Sequence, residues 1–152
     1  MNSPTPLPRT GLGAAALALT AIGGILVAIG SIGTWVSSDL ADLSIGGLDK
    51  DGPVLIALVV LIGIQAGVAF ARGVKRPLIL LVSVGLAALT TLIAFVDLSD
   101  VNSAGFGAEA GWGLQLATYS SLALLAGTVM LVIAARRETD VRGGAVSAAA
   151  HS

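Results

Sequence analysis

Four long apolar runs, separated by short charged segments, make up most of this chain of 152 residues. None of the four contains Asp, Glu, Lys, Arg or His, and they are Leu12–Val36, Pro53–Ala71, Pro77–Val96 and Gly113–Ala135. A helix rises about 1.5 Å per residue, so a run of about 20 residues crosses a hydrocarbon core of about 30 Å. The pattern therefore predicts an all-α fold, an integral membrane bundle of four transmembrane helices over residues 12–135.

Basic residues are sorted between the segments that connect these runs. The N-terminus, the middle loop and the C-terminus together hold seven of the eight, which are Arg9, Arg72, Lys75, Arg76, Arg136, Arg137 and Arg142. Short cytoplasmic loops carry an excess of Lys and Arg. The sorting predicts a multi-pass protein of the cell membrane with both termini cytoplasmic. Residues 1–11 form a short inner segment, 136–152 a disordered inner tail, and 37–52 and 97–112 the two outer loops.

The first run also bears on processing of the N-terminus. A cleaved signal peptide has an apolar core of about 7–15 residues. Because Leu12–Val36 is longer than that, we expect an uncleaved first helix.

Composition agrees with a lipid environment and narrows the range of partners. Hydrophobic residues make up 55% of the chain and charged residues 11%, against about 25% charged in soluble domains. The net charge of -1 predicts no nucleic-acid partner. With no Cys, the chain has no disulfide and no thiolate metal site. The expected surroundings are the lipid bilayer and, with it, a second copy or another membrane protein.

Small residues predict where helices pack closely. Lipid tails are as apolar as Leu, so helices associate in a membrane through close backbone packing and interhelical hydrogen bonds. Small residues recur at four-residue spacing in the first, second and fourth runs. The predicted packing positions are Gly24, Ala28, Gly63, Gly67, Ser121 and Gly127.

Polar and aromatic side chains inside the runs divide into two predicted groups. Gln65, Gln115 and Tyr119 are expected to face the bundle, because an unpaired amide is costly in hydrocarbon. There they would either bond neighbouring helices or line a narrow pore or cleft. Trp35 and Trp112 fall at the outer boundary, where indole rings prefer the headgroup level, so both are predicted interface anchors.

The sequence contains few residues that could take part in catalysis or bind a metal ion. With no charge inside the runs, the sequence offers no proton relay, metal site or catalytic residue, and it predicts a protein that is not an enzyme and needs no cofactor. The loop Gly47–Gly52 contains the D-x-D-G core of a calcium loop. Its twelfth position, where such a loop ends in a Glu ligand, falls inside the apolar second run. A turn before Pro53 is therefore the preferred interpretation.

Short motifs carry a family resemblance. Trp35, Gly47–Gly52, Asp97–Asp100 and Gly111–Leu114 follow the order seen in small four-helix integral membrane proteins of actinobacteria, which the chain resembles over residues 11–135. Abundant Ala and Gly with little Lys also resembles a high-GC genome. The resemblance implies membrane placement and supplies no activity. Claudin-like proteins share the four-span plan but have paired Cys in the first outer loop, and small multidrug transporters rely on a Glu in the first helix; both features are absent here.

Two functions fit these observations. The first is a non-enzymatic membrane protein that acts by assembling with itself or with another membrane protein, which the small-residue positions favour. The alternative is a pore-forming or permeability factor, such as a holin-like or prophage exclusion protein, which the small size and the polar residues of the fourth run favour.

Overall fold

Four helices dominate the computed structural model, which describes residues 11–38, 43–72, 77–105 and 107–150. They are α1 (Gly11–Ile32), α2 (Gly52–Arg72), α3 (Pro77–Ser103) and α4 (Trp112–Ala150). Each contains a segment long and apolar enough to cross a membrane. The number of helices expected from the apolar runs is thus confirmed.

The helices are arranged in a ring. α1 and α3 each contact both α2 and α4, and the contact between α1 and α4 is the most extensive. Along that contact Gly30 lies beside Gly113, and Thr20 lies beside Gly127, so the two helices run antiparallel. Side chains of all four helices therefore meet along a common axis.

A small antiparallel sheet covers one end of the ring, and this alters the all-α expectation. Strand β1 (Thr34–Ser38) lies between β2 (Leu43–Gly46) and β3 (Ala108–Ala110). A one-turn 3₁₀ helix, Gly47–Asp49, leads from β2 towards α2, which confirms a turn before Pro53. The described parts of the segments expected to be loops thus form ordered structure. The end of the bundle that carries these three strands is named the sheet end.

Three helices end more than one residue from the expected positions: α1, α3 and α4. α1 ends at Ile32 rather than Val36, because Gly33 interrupts it and Thr34 and the following Trp and Val favour an extended strand. α3 continues past Val96 to Ser103.

The C-terminal segment is helical where a disordered tail was expected. α4 continues past residue 135 to Ala150, through a segment with several Ala and Arg residues, which are good helix formers. Residues 1–10 of the expected inner segment 1–11, most of the middle loop and residues 151–152 lie outside the described residues.

Candidate functional site

Trp35 is a core residue of the sheet end and not an exposed interface anchor, so that prediction was wrong. Its side chain is only 2% exposed. Its Nε1 donates a hydrogen bond of 3.1 Å to the carbonyl oxygen of Gly30, which satisfies the buried indole N–H. Apolar residues of every helix complete this cluster, namely Val27, Leu55, Ala94, Leu114 and Ala117. The indole ring of Trp35 therefore fills the space between the four helices beneath the sheet.

Glycines allow the backbone to close around this indole. A Cβ on Gly47 would collide with Trp35 Nε1 and with the carbonyl oxygen of Ser31. A Cβ on Gly52 would collide with the same Ser31 oxygen, and one on Gly111 with the carbonyl oxygen of Thr34. The loop before α2 can approach α1, and the entry to α4 can approach β1, this closely only because these positions lack side chains.

The closest helix packing joins α1 to α4. A Cβ on Gly30 would lie 2.6 Å from the backbone nitrogen of Ala117, and one on Gly127 would lie 2.6 Å from that of Thr20. Gly127 is thus a packing residue, as the sequence predicted. Gly23 and Gly30 make equally close approaches and were missed. Gly23 and Gly30 are seven residues apart, about two helical turns, so they lie on the same face of α1. That spacing is the sequence feature that could have identified them.

Hydroxyl groups join α3 to α4 in both directions. Thr118 Oγ1 donates to the carbonyl oxygen of Ala94 at 3.1 Å, and Thr91 Oγ1 donates to that of Ser121 at 3.2 Å. Ser121 is buried at this contact, which places it at a helix-packing position. Such interhelical bonds contribute about 0.6–2 kcal/mol each in a membrane.

The predicted packing residues of α2 have no packing role within the described chain. A Cβ placed on Gly63 or Gly67 would meet no atom within 4 Å. On the facing helix, Gly24 does pack closely, since its Cβ would lie 3.1 Å from Val59 Cγ1, whereas Ala28 is only half-buried. The expectation that Gly63 and Gly67 form a seam inside the bundle was therefore wrong.

An open groove of about 460 Å³ runs between α1 and α2 where these small residues lie. Its lining is almost entirely apolar and includes Gly24, Ala28, Gly63 and Gly67. The hydroxyl of Thr20, also in the lining, already donates to the carbonyl oxygen of Ala16 at 2.9 Å. The groove thus offers apolar shape and close backbone access but no hydrogen-bonding group in need of a partner.

Gln115 and Tyr119 lie on the outer surface of α4, against the prediction that they face the interior. Tyr119 is 64% exposed, and the exposed Gln115 donates from Nε2 to the carbonyl oxygen of Ala110 at 2.9 Å. Trp112, 57% exposed, begins the same surface. Helical side chains lean towards the helix N-terminus, so the Tyr119 hydroxyl is directed back towards the level of Trp112. Trp112 and Tyr119 therefore suit an interfacial aromatic pair.

Gln65 is the one predicted interior polar residue that bonds another helix. Its Oε1 accepts a hydrogen bond of 2.6 Å from Ser83 Oγ, which links α2 to α3. The side chain is only partly buried, since it lies at the edge of the α2–α3 contact. Within the described chain, its Nε2 has no hydrogen-bond acceptor.

Acidic side chains gather at the sheet end. Asp97 lies beside Asp51 and Asp100, and its Oδ2 is shielded from solvent without a hydrogen-bond partner among the described residues. The described residues of the chain contain no group of three or more His, Asp or Glu placed to hold a metal ion.

Comparisons with known proteins give no relative. No protein-family model, curated protein or solved structure matches the chain. The resemblance to actinobacterial four-helix membrane proteins accordingly stays a prediction.

Proposed function

We propose that this protein acts by assembling inside a cell membrane, with itself or with another membrane protein, and that it performs no enzymatic reaction. The observation that carries the proposal is the open groove between α1 and α2. Its small residues, Gly63 and Gly67, face no atom of the chain's own described part. Elsewhere in the bundle, glycines such as Gly30 are occupied by close helix contacts.

The physical argument rests on what stabilises helix contacts in lipid. Burial of apolar surface gives no net gain there, so association depends on close packing of backbones, which small residues permit. Two faces of such residues, Gly24 with Ala28 and Gly63 with Gly67, border one groove. A helix from a partner can approach both walls more closely than it could approach the Ile- and Leu-rich remainder of the surface.

Filling this groove is expected to weaken assembly. Gly67→Leu places a large side chain in the groove without touching the chain's own core, because a Cβ there meets nothing within 4 Å. We expect about a tenfold loss of in-membrane cross-linked product, which corresponds to about 1.4 kcal/mol. Cross-linking in native membranes followed by mass spectrometry measures it.

The matched control for this change is Gly85→Leu. Gly85 is also a helical glycine with no atom within 4 Å of its Cβ, but it lies on α3 and outside the groove. It should cross-link as the wild type does. Equal yields from both variants would count against the groove, and a wild-type protein that stays monomeric and captures nothing would overturn assembly itself.

The orientation follows from the basic residues and is part of the proposal: both termini lie in the cytoplasm and the sheet end lies outside. Because the chain has no Cys, single cysteines report their side without background. Ser44→Cys, on the exposed surface of β2, should react with a membrane-impermeant maleimide in intact cells. Ser147→Cys should react only after permeabilisation. The reverse pattern would invert the proposed topology.

The permeability alternative has less support. Gln115 and Tyr119, which suggested a polar lining, lie on the outer surface of the bundle. Buried hydroxyls such as those of Thr20 and Thr118 donate to helix carbonyls. No observation on the described residues therefore favours a channel through one copy, and a collapse of membrane potential on induced expression is the result that would revive it.

A further inference from the structure

The amide of Gln65 is satisfied on one side only. A Gln amide has two donor hydrogens and two acceptor lone pairs. Ser83 Oγ uses one lone pair of Oε1, at 2.6 Å, while Nε2 has no acceptor among the described residues. If the amide were turned so that Nε2 met Ser83, the outward oxygen would be the end without a partner. In either orientation, only one of the group's four hydrogen-bonding positions is used among the described residues.

This unused capacity lies within the depth of the membrane. Gln65 follows Gly52 by thirteen residues and precedes Arg72 by seven, which places it about 20 Å and about 10 Å from the two ends of α2. Helical side chains lean towards the helix N-terminus, here away from the nearer end. The amide therefore does not reach the headgroups, and an unpaired polar group in hydrocarbon is costly.

We infer that a second copy of the chain docks against the α2–α3 flank, with Gln65 of each copy bonded to Gln65 of the other. The inference rests on the proposed function only for assembly within the membrane, and it adds a second surface, the α2–α3 flank, which is separate from the groove between α1 and α2. An amide is donor and acceptor in one planar group, so it complements itself. Two copies inserted in the same direction also place this group at the same depth, which a two-fold axis along the membrane normal requires.

The neighbouring features of the chain are consistent with this partner. A lipid tail supplies no acceptor for Nε2, so lipid leaves the amide unpaired. The second glutamine, Gln115, differs in this respect. Its Nε2 already donates to the carbonyl oxygen of Ala110 in the same chain. One turn from Gln65, Leu61 is 48% exposed and offers apolar surface beside the amide.

Symmetric disulfide formation tests the contact directly. With no native Cys, Leu61→Cys in liposomes should form a covalent dimer under mild oxidation, because Leu61 lies one turn from Gln65 on the same flank. Val60→Cys is the control: Val60 is 53% exposed but points to the other side of α2. Dimers from Val60→Cys and not from Leu61→Cys would overturn this docking mode while leaving assembly intact.

The role of the amide is tested by adding Gln65→Leu to the Leu61→Cys protein. An interhelical hydrogen bond in a membrane is worth about 0.6–2 kcal/mol, so the dimer yield should fall about 3- to 30-fold. Gln115→Leu should leave it unchanged. An unchanged yield with Gln65→Leu overturns amide pairing. Should that variant fail to fold, the Leu61→Cys result alone decides the docking mode.

The outcomes also separate this inference from the proposed function. A wild-type chain that is monomeric in liposomes but cross-links to a different membrane protein in cells overturns the second copy and supports assembly. A chain that is monomeric in both settings and captures no protein overturns both.

Discussion

Replacing Trp35 with alanine is expected to lower the free energy of unfolding by about 3–5 kcal/mol, the usual cost of removing a buried aromatic side chain. The indole is 2% exposed and belongs to a buried cluster with residues of all four helices, so its loss leaves a cavity where they converge. The sheet above it also loses its support. Unfolding in mixed detergent micelles, followed by circular dichroism, measures the change.

Two variants separate the contribution of this ring from a general effect of losing tryptophan. Trp112→Phe alters a side chain that is 57% exposed and should change the free energy of unfolding by less than about 0.5 kcal/mol. Trp35→Phe keeps an aromatic ring but removes the N–H that bonds Gly30, so an intermediate loss is expected. A Trp35→Ala protein as stable as the wild type would contradict the buried position.

Gly30→Ala should destabilise the bundle by about 1–3 kcal/mol, the cost of overpacking a close-packed contact. The added Cβ would lie 2.6 Å from the nitrogen of Ala117 and 2.6 Å from the carbonyl oxygen of Gly113. Both neighbours are backbone atoms, so no side-chain rotation can relieve the clash. α1 and α4 must move apart, and their contact is the largest in the fold.

Gly85→Ala provides the matched comparison, because Gly85 is also helical but its Cβ would meet nothing within 4 Å. Alanine is a better helix former than glycine, so this variant should be as stable as the wild type or slightly more stable. The same unfolding measurement serves both variants. Equal destabilisation by the two changes would show that the α1–α4 approach is not the cause.

The number of helices long and apolar enough to cross a membrane could be predicted because it depends on local composition. A run such as Pro77–Val96 has no charge and has the length that a bilayer requires, whatever its neighbours are. The strands could not be predicted in the same way. β3 covers only Ala108–Ala110, too short for a period to be recognised, and it forms because β1 lies beside it.

The candidate site was predicted in part. Gln65 does bond another helix, and Gln115 and Tyr119 do share a helix surface, but that surface faces away from the bundle. Polar residues such as Gln115, Thr118 and Ser121 lie on more than one face of α4, so its sequence does not distinguish the face towards lipid from the face towards protein. Gly67 and Gly127 likewise look equivalent in sequence, yet only Gly127 packs against another helix.

By itself, the sequence determined that this protein has four helices able to cross a membrane and no charged group within the apolar runs, because both follow from residue type and run length. Only the tertiary structure decided which surfaces are used. It buried Trp35, left the groove beside Gly67 open and gave the Gln65 amide one hydrogen-bond partner among the described residues. In a membrane the hydrophobic effect does not select which face of a helix is buried. That choice depends on how closely facing backbones fit and on where a hydrogen-bond partner lies.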